Sequence, residues 1–501
     1  MSKRWSTVLA VAFLVAVPIF AAPVPPVRLA AEGEDQVYDV SSRAAQMAEL
    51  HRSIVARESA RGLARALEVK LTAAEKAQAQ TQVEGGRLRV GMEKALGATG
   101  KLGSWTKFGA VEAAEDGSLV WTARISSPGA TALRLHLAPF DLPESAELYV
   151  YSVDGQAHGP YAGRGPVDDG ELWTNTVFGD EVRLQLRVAA ADAAATRLVI
   201  RDVGHLGDGL PMATLAFCSD NASCVVNAAC VNVSAVNDAR DAVAHMLFPS
   251  GGFYYICTGG LIADSDSSSV VPYFLTANHC ISRSSEASGL ETYFDYETTC
   301  NSPDCTAPYP WPSGTRNPDT LGAQLVAGSK TSDFTLLRLS SAPATDDGVV
   351  RYLGWTSTPV ANSSNVELHR ISHPKGSPQA YSAQTVSTSA VTCSSLPRGN
   401  FIYSRDTVGA TEGGSSGSPV LNESGQIVGQ LYGACGFNLN DVCDAQSNAT
   451  VDGAFAVSYS QISGVLGGSG PQCSPVGASC SANSQCCSGS CKGKPGAKTC
   501  K

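Results

Sequence analysis

The chain has 501 residues, a net charge of −10 and sixteen cysteines, all of them at or beyond Cys218. This length exceeds one ordinary domain and predicts about three. The acidic balance disfavours a general nucleic-acid binder. Because the first 217 residues contain no cysteine, we expect two regions that are stabilised in different ways.

The amino terminus has the layout of a secretory signal peptide. Lys3 and Arg4 precede an apolar run from Val8 to Phe20, which is followed by small residues and Pro23. A membrane anchor is the alternative, but the run is short for a spanning helix. We predict a signal peptide at residues 1–22 and a secreted, extracellular protein, in which an even number of cysteines favours disulfides.

The next region changes from helical to β-type patterning. Residues from about 30 to 82 are rich in Ala, Glu, Arg and Gln with apolar positions at helical spacing, and they predict a helical or partly disordered lead. From about 88 to 203, short alternating runs such as AELYVYSV and EVRLQLRVA are separated by Pro, Gly and Asp. These runs predict a compact β-sandwich.

Two later segments each join an apolar strand to one polar residue. YFLTANHC, residues 273–280, places His279 just after a strand, and SDFTLLRL, residues 332–339, places Asp333 just before one. A hydrogen-bonded core histidine and a turn-capping aspartate are the structural alternatives. The stronger interpretation is that an imidazole and its carboxylate partner meet at the ends of neighbouring strands.

The stretch EGGSSGSPV, residues 412–420, surrounds a central serine with small residues. A sharp turn here would direct the backbone N–H groups of Gly414 and Ser416 the same way, as an oxyanion hole requires. Ser416 would be the nucleophile, His279 its base, and Asp333 the group that fixes the imidazole tautomer. A Gly/Ser linker is the alternative for this stretch alone.

In this order, the three segments resemble the chymotrypsin fold, in which TA-x-HC, D-[IF]-x-LL-x-L and G-x-SG-x-P carry the catalytic triad. More closely, they resemble the bacterial lysyl endopeptidases. The resemblance implies an all-β fold with a chymotrypsin-like double β-barrel protease domain at residues 213–466. It also implies a serine endopeptidase that hydrolyses peptide bonds through an acyl-enzyme.

Two other functions stay open at this point. A catalytically silent homologue could act as an adhesin or binding protein, although an intact triad argues against it. A triad esterase is the second alternative, but Ser418 and Pro419 follow Gly417 where that fold has its G-x-S-x-G elbow.

The sandwich lies between a signal peptide and a protease, which resembles the arrangement of propeptides in secreted bacterial serine proteases. The resemblance implies a propeptide at residues 23–212, ending near Ala213, that serves as a folding aid or inhibitor. The alternative is a permanent accessory domain, for example one that binds carbohydrate through exposed Trp105, Trp121 and Trp173.

The resemblance also implies disulfides. Cys257 would pair with Cys280 to close the histidine loop, and Cys224 would pair with Cys300. Cys218 would pair with Cys435 or with Cys443. The partners of Cys230, Cys305 and Cys393 stay open.

The specificity pocket is where the sequence departs from these relatives. Trypsin-like enzymes carry an aspartate six residues before the nucleophile, where this chain has Ala410, and lysyl endopeptidases carry an acid where this chain has Thr450. Asp444 and Asp452 remain as candidate acids, and Tyr432 would line the same wall and favour an apolar side chain. Cleavage after Lys or Arg and cleavage after a small or apolar residue are both open.

The carboxyl terminus is predicted to carry a separate module. Strand patterning continues to about Val465, with VDGAFAVSY as the expected last barrel strand, and residues 467–472 form a Gly-rich linker. Residues 473–501 hold six cysteines spaced C-x6-C-x5-CC-x3-C-x8-C, which resembles a disulfide-rich cystine-knot module. Its lysines would suit an anionic surface or polymer, and a solvated basic tail is the alternative.

No motif calls for a metal or a cofactor. His369 and His373 form H-x-x-x-H, but the glutamate of a zinc-peptidase motif is missing and Pro374 disfavours a helix. We therefore expect no metal and no cofactor, and we expect protein or peptide substrates as partners.

Overall fold

The computed structural model describes residues 21–30, 40–64, 66–79, 82–84, 86–96, 105, 107–207, 221–269, 271–300, 320–343, 345, 347–467, 491, 492 and 498–500. The predicted signal peptide and linker lie almost wholly outside the described residues. In the predicted cystine-knot module, two short strands pair antiparallel, Cys491–Lys492 and Thr499–Cys500. Of the helices that the structure describes, none combines the length and apolar character needed to cross a bilayer.

The helices of the described residues are α1 Val40–Val55, α2 Ala60–Leu63, α3 Ala73–Ala79, α4 Asn237–Ala242, α5 Ser284–Ser288 and α6 Phe455–Leu466. The first three fall within the predicted helical lead. The α2 helix begins after Ser59, whose hydroxyl accepts a hydrogen bond from the Gly62 N–H, as an N-cap serine does. The apolar face of α1 packs on the sandwich through Met47 and Ile54.

The amino-terminal region, defined as residues 21–207, contains a sandwich of two sheets. Its strands are β1 Val27–Ala30, β2 Leu67–Glu68, β3 Gln82–Glu84, β4 Arg87–Ala95, β5 Ala110–Ala113, β6 Ser118–Ser126, β7 Ala132–Asp141, β8 Glu147–Tyr151, β9 Ala157–Tyr161, β10 Leu172–Trp173, β11 Val177–Phe178, β12 Glu181–Ala189 and β13 Arg197–Leu206. One sheet has the order β10-β7-β13-β4 with β3 and β11 attached, and the other has the order β2-β6-β12-β8-β9 with β5 attached. Alternating apolar residues such as Leu184 and Leu186 fill the space between the two sheets.

The three tryptophans of the sandwich are buried, so the prediction of exposed indole rings was wrong. Trp105, Trp121 and Trp173 are each no more than 7% exposed. The indole N–H of Trp121 donates to the carbonyl oxygen of Phe108 at 2.9 Å, and Trp173 stacks on His136 with ring centroids 3.7 Å apart. These rings serve packing and cannot form an exposed carbohydrate-binding face.

The two-barrel region, defined as residues 221–467, confirms the predicted double β-barrel. Its strands are β14 Val226–Asn227, β15 Val243–Ser250, β16 Phe253–Leu261, β17 Tyr273–Ala277, β18 Glu291–Tyr293, β19 Thr320–Leu321, β20 Ala323–Ser329, β21 Phe334–Leu339, β22 Val349–Tyr352, β23 Glu367–Ser372, β24 Ala380–Val386, β25 Phe401–Val408, β26 Pro419–Asn422, β27 Ile427–Gly436 and β28 Asn448–Ala454. In the first barrel, β15 pairs with β16 and β18, and the pairing continues from β16 through β17 and β21 to β20. The second barrel has the order β14-β24-β23-β26-β27-β28-β25 and closes through the pairing of β24 with β25.

The end of the second barrel differs from the prediction. The segment VDGAFAVSY is not a single strand, because β28 ends at Ala454 and α6 begins at Phe455. Helical spacing directs Phe455 and Tyr459 to the same side, where both rings contact Trp355. The helix therefore closes the core instead of extending the sheet.

One sheet runs through both regions. Strand β4 pairs antiparallel with β16 of the first barrel, in a register that sets Met92 opposite Phe253 and Leu88 opposite Ile256. Near the amino terminus, β1 pairs with β22 over four residues, and Val24 exchanges backbone hydrogen bonds with Trp355. The amino-terminal region is therefore attached to the barrels by strand addition at two places.

Four disulfides lie within the described residues, and they correct part of the prediction. Cys257 pairs with Cys280, as the resemblance implies. Cys224 does not pair with Cys300. The Asn227 side chain donates to the Thr299 carbonyl oxygen at 3.0 Å, and this hydrogen bond brings the turn that follows Asn227, which contains Cys230, against Cys300. The other three disulfides are Cys224–Cys443, Cys230–Cys300 and Cys393–Cys435.

The two partners expected for Cys218 are thus both engaged elsewhere. Cys435 is bonded to Cys393 and Cys443 to Cys224. Either pairing of Cys218 with them was a wrong prediction, and Cys218 itself lies outside the described residues, as does Cys305.

Candidate active site

His279 lies in a turn directly after β17. The pairing of β17 with β21 sets Ala277 opposite Phe334, so the residues just beyond these strand ends meet. The Asn278 N–H donates to the carbonyl oxygen of Asp333 at 2.9 Å. The disulfide between Cys257 and Cys280 ties the same turn to β16.

Asp333 holds His279 through both carboxylate oxygens. Its Oδ2 lies 2.6 Å from His279 Nδ1, and its Oδ1 accepts the His279 backbone N–H at 2.9 Å. Asp333 is buried and has a φ of +51°, a left-handed conformation that aspartate tolerates better than most residues. A carboxylate at Nδ1 favours the tautomer in which Nε2 carries the free lone pair.

Ser416 lies in a tight turn between the barrels. Its carbonyl oxygen accepts the Thr258 N–H of the first barrel, and the Gly417 N–H donates to Leu431 of the second, both at 2.8 Å. Gly417 has a φ of +84°, and a Cβ there would come within 2.2 Å of Thr276 Oγ1. Glycine is therefore required for the close approach that places the serine.

The same turn fixes the backbone of the predicted oxyanion hole. Gly414 has a φ of +102°, and a Cβ there would lie 2.8 Å from the carbonyl oxygen of His373. Within the described part of the chain, neither the Gly414 N–H nor the Ser416 N–H has an acceptor. Both donors are thus available for an oxygen that carries developing negative charge.

The hydroxyl of Ser416 hydrogen-bonds to a turn of the amino-terminal region and not to His279. Ser416 Oγ donates to the carbonyl oxygen of Gly86 at 2.8 Å. His279 Nε2 is buried and has no hydrogen-bond partner among the described residues. A Cβ built on Gly86 would lie 2.9 Å from His279 Nε2 and 3.4 Å from Ser416 Oγ, so this turn lies against both side chains.

The Gly86 turn joins β3 to β4 and is held from both sides. Strand β4 is paired with β16, and the Arg87 guanidinium lies 3.9 Å from the centre of the Tyr255 ring. Arg87 also donates to Ser250 Oγ at 3.1 Å. These contacts fix the turn in the cleft between the barrels.

A buried carboxylate provides a second anchor. Glu291 of the first barrel is fully buried, and it accepts hydrogen bonds from the Thr176 N–H at 3.0 Å, the Thr176 hydroxyl at 2.6 Å and the Asn175 amide at 3.2 Å. The guanidinium of Arg134, also fully buried, lies 3.9 Å away. All these partners of Glu291 belong to the amino-terminal region, which therefore neutralises a charge on the barrel surface.

The residues predicted for the specificity pocket have different environments. The Tyr432 ring lies 5.5 Å from the His279 ring, in a β-bulge between Leu431 and Gly433. Ala410 is buried. Asp444 accepts hydrogen bonds in its own loop, from Asn438 at 2.9 Å and the Ser447 N–H at 3.0 Å, and the Asn438 contact chiefly lowers its pKa to about 2.

Asp452 and Thr450 lie deeper in the second barrel. Asp452 forms an ion pair with Arg370, and both side chains are completely inaccessible to solvent. Burial raises the pKa of Asp452, while Arg370 opposes the change. Thr450 donates its hydroxyl to Asp406 Oδ1 at 2.7 Å.

Asp406 was missed by the sequence reasoning. It lies on β25, ten residues before Ser416 in the sequence. Alternation along the strand, from Ile402 through Ser404, places its side chain on the inward face and could have identified it.

No group of three or more His, Cys, Asp or Glu side chains in the described residues is arranged to hold a metal ion. His373 instead contacts the carbonyl oxygen of Ser377 through Nδ1 at 3.0 Å, and burial lowers its pKa to about 4. His369 contacts the Tyr381 hydroxyl at 2.9 Å. Packing accounts for both histidines, and His373 also stacks on Tyr296 with ring centroids 5.6 Å apart.

Two family models match most of the chain. The Lysyl endopeptidase N-terminal domain matches residues 63–207, and the Lysyl endopeptidase C-terminal domain matches residues 218–449. The lysyl endopeptidase of Pseudomonas aeruginosa is 32% identical over 364 residues, which cover 68% of this chain and 74% of that protein. The resemblance seen in the three motifs is thereby confirmed.

Two further similarities are weaker. Secreted RxLR effector protein 73 of Plasmopara viticola is 24% identical over 330 residues, covering 62% of this chain and 77% of that protein. A crystal structure of a protease from M. tuberculosis in its active form is 15% identical, with a TM-score of 0.31, and covers 50% of this chain and 92% of that one.

Proposed function

Because this chain belongs to the lysyl endopeptidase family and is a serine-type peptide-bond hydrolase, we propose that it is a secreted endopeptidase that acts through Ser416, His279 and Asp333. The observation that carries the proposal is the convergence of three distant segments. The imidazole is bound to Asp333 at 2.6 Å, and its Nε2 and the serine hydroxyl both lie close to a single turn at Gly86.

Each residue has a defined role in acyl transfer. Ser416 attacks the scissile carbonyl while His279 Nε2 takes its proton and then returns it to the leaving amine. Asp333 orients the imidazole and stabilises its charged form. The N–H groups of Gly414 and Ser416 bind the oxyanion, and water hydrolyses the resulting acyl-enzyme by the same path.

A fluorophosphonate probe with peptide mapping tests this proposal directly. We expect labelling of Ser416 in the mature enzyme, and we expect Ser416→Ala to lower peptide hydrolysis by about six orders of magnitude. Ser415→Ala is the matched control, since this neighbouring buried hydroxyl has a single hydrogen-bond partner among the described residues, the Ser372 hydroxyl at 3.1 Å. Full hydrolysis by Ser416→Ala would refute the triad.

The same experiment separates the two alternatives. A catalytically silent homologue would not react with the probe at all. A triad esterase would react at Ser416 but would cleave small esters and not peptides. Hydrolysis of an internal peptide bond in a folded protein substrate, lost in Ser416→Ala, would exclude both.

Residues 23–212 act, in this proposal, as a propeptide that assists folding and blocks the site. A hydroxyl that donates to the Gly86 carbonyl cannot at the same time donate to His279, and the turn occupies the space that a substrate needs. The shared sheet of β4 and β16 would also help the first barrel to form. Secretion agrees with the signal-type amino terminus and with the disulfides.

Substitution at Gly86 tests the block. Gly86→Ala would add a methyl group 2.9 Å from His279 Nε2, and we expect the precursor to react with the fluorophosphonate about tenfold faster because the turn is displaced. Gly117→Ala is the control, since Gly117 has a similar φ of +82° but faces open space. Equal reactivity of the parent and both variants would refute the block.

A further inference from the structure

One edge of the first barrel is covered by the amino-terminal region. Strand β16 pairs with β15 from Phe253 to Gly260, and its other edge pairs with β17 at Gly260 and Leu261 and with β4 from Phe253 to Ile256. Among the described residues, β4 is the only strand paired with the Phe253–Ile256 edge. Removal of residues 23–212, as proposed above, would therefore open that edge to another extended segment.

The edge begins beside the catalytic histidine. Ile256 directly precedes Cys257, whose disulfide with Cys280 holds the turn of His279. In acyl transfer the imidazole returns its proton to the leaving amine, so the residues that follow the cleaved bond must lie on the histidine side of the site. The edge is therefore on the side that receives the leaving part of a substrate.

Strand β4 follows the path expected of that leaving part. The carbonyl oxygen of Gly86 accepts the hydroxyl of Ser416 at 2.8 Å. The chain then runs antiparallel to β16, with Leu88 opposite Ile256. Residues 87–90 thus occupy an extended path that starts at the nucleophile and continues along β16.

The arginines of β4 contact aromatic rings of β16. The Arg87 guanidinium lies 3.9 Å from the centre of the Tyr255 ring, and the Arg89 guanidinium lies 4.6 Å from the centre of the Phe253 ring. A guanidinium at this distance is attracted by the negative face of the ring, more strongly where water is excluded. The two arginines are two positions apart and so share one face of β4.

A buried carboxylate strengthens the first of these contacts. Arg87 donates to Ser250 Oγ at 3.1 Å, and Ser250 Oγ donates to Glu286 Oε1 at 2.7 Å. Glu286 is only 5% exposed. Because hydrogen bonds in series polarise one another, the carboxylate makes the Ser250 hydroxyl a better acceptor for a cationic N–H group.

The alternate residues of β4 contact an apolar surface. Leu88 and Val90 belong to one buried cluster with Leu247, Tyr254 and Ile256 of the first barrel. Successive residues of a strand point to opposite faces, so the two faces of β4 have different partners. An extended segment with basic residues at its first and third positions and an apolar residue at its second therefore matches this edge.

We propose that, once β4 has left, the Phe253–Ile256 edge binds the residues that follow the cleaved bond of a protein substrate by strand addition. The edge favours Arg at the first and third of these positions and an apolar residue at the second. This inference rests on the proposed endopeptidase function and on the removal of residues 23–212. Backbone pairing supplies binding for any sequence, and the ring faces and Glu286 supply the selectivity.

Peptides that differ only after the cleaved bond test this inference. The enzyme is matured from the full chain, and its active sites are counted by fluorophosphonate labelling of Ser416. Matched peptides carry Arg-Leu-Arg, citrulline-Leu-citrulline or Glu-Leu-Glu after the same cut, and mass spectrometry counts only the product of that bond. We expect kcat/KM to be about tenfold higher with arginine than with citrulline, which keeps the shape without the charge, and lowest with glutamate. Equal values for the three peptides would overturn the inference.

Substitutions on and beside β16 locate the selectivity. Phe253→Leu and Tyr255→Leu keep an apolar side chain without the ring, and Ser250→Ala removes the hydroxyl that leads to Glu286. We expect each to lower the preference for arginine over citrulline at least about threefold. Phe437→Leu is the matched control, since this aromatic residue is 86% exposed on the loop after β27, and it should keep the parental preference. An unchanged preference in all three edge variants would refute recognition by this edge.

Methylation of the peptide backbone tests strand addition itself. In an antiparallel pair, every second residue of a strand exchanges hydrogen bonds with its neighbour. Arg-Leu-Arg peptides that are N-methylated at the second or at the third position should therefore differ, one losing at least about tenfold in kcat/KM and the other less than about threefold. Similar losses at both positions would show that the segment does not pair with β16.

A short chromogenic amide separates this inference from the proposed function, because it has no residue after the cut that could reach the edge. Failure of the parent to label at Ser416 and to hydrolyse the amide would refute the proposed triad. Hydrolysis of the amide without selectivity among the three peptides would refute only the inference about the edge.

Discussion

The amino-terminal region and the two-barrel region each bury apolar cores but are stabilised differently. The first 217 residues contain no cysteine, and the sandwich depends on the packing between its sheets. The barrels carry all four disulfides of the described residues, and one of them closes the turn of His279. If residues 23–212 are removed as proposed, the covalent links lie in the part that remains.

The two regions contact each other through backbone hydrogen bonds and a buried charge. Strand pairing of β4 with β16 and of β1 with β22 provides backbone hydrogen bonds, and Glu291 provides one buried charge. Such contacts are strong while both regions are folded, but none is covalent. Unfolding or cleavage of the sandwich would therefore release the barrels without breaking any bond inside them.

The largest effect is expected from the buried charge. In the Ser416→Ala precursor, Glu291→Ala should lower the free energy of unfolding by about 3–5 kcal/mol, because Arg134 and the Thr176 donors lose their partner. Urea unfolding measures the change. In the double variant Arg134→Ala Glu291→Ala, the loss of unfolding free energy should be smaller than the sum of the losses in the two single variants. Strict additivity would contradict a coupling between the two side chains.

Removal of one disulfide should affect the two regions unequally. Replacing Cys257 and Cys280 together by alanine should cost about 3 kcal/mol, from the entropy of the loop that the bond closes. Hydrogen exchange in the Ser416→Ala precursor should show lost protection in β15–β21 and little change in β6, β8 and β12. Equal loss in both regions would mean that they unfold as one unit.

The contact between the amino-terminal region and the first barrel, which includes β4, should weaken as pH rises. Burial, reinforced by the charge of Asp202, raises the pKa of Glu93 on β4 to about 7, although His136 and Arg201 oppose the shift. A carboxyl with a raised pKa in the folded state gives stability that is complete below its unfolded pKa and is lost as pH rises through about 7. Allowing for its partial exposure, we expect about 1 kcal/mol.

Glu93→Gln checks this expectation. The variant keeps the side-chain shape without the titration, so thermal melting of the Ser416→Ala precursor should fall less between pH 5 and pH 8 than in the parent. Well below the ordinary carboxyl pKa of 4.5 the two proteins should melt alike, because Glu93 is then uncharged in both states. The same fall in both proteins would assign the pH dependence to other groups.

The smallest effect is expected at the carboxyl terminus. Truncation after Gly468 should change the turnover of a short chromogenic peptide less than about twofold, because α6 already closes the barrel core with Ile462 and Leu466. Retention on a polymer or anionic surface should fall instead. A large loss of turnover would show that the cysteine-rich module belongs to the catalytic fold.

Sequence patterns predicted the parts of this molecule that depend on local periodicity. Alternation in EVRLQLRVA identified a sandwich strand, and apolar strands ending at polar residues led to His279 and Asp333. The same reasoning failed at Phe455, where an apolar segment fits either a strand or a helix and the choice is made by packing on Trp355.

Contacts between distant segments could not be predicted in this way. Cys224 and Cys230 are six residues apart, and only the folded chain determines which of them lies beside Cys300. The sequence VEGGRL indicates a tight turn, but its contact with Ser416 depends on the register of β4 against β16. The position of Asp406 likewise depends on the pairing of Ser404 with Thr450.

The strand shared by the two regions has a consequence for the mature enzyme. Once β4 departs, Phe253–Ile256 lose their neighbour, and an unpaired row of backbone N–H and C=O groups faces solvent on an aromatic segment. Open edges of this kind pair with strands of other molecules. If residues 23–212 are removed as proposed, we expect the remaining enzyme to self-associate at concentrations at which the precursor stays monomeric.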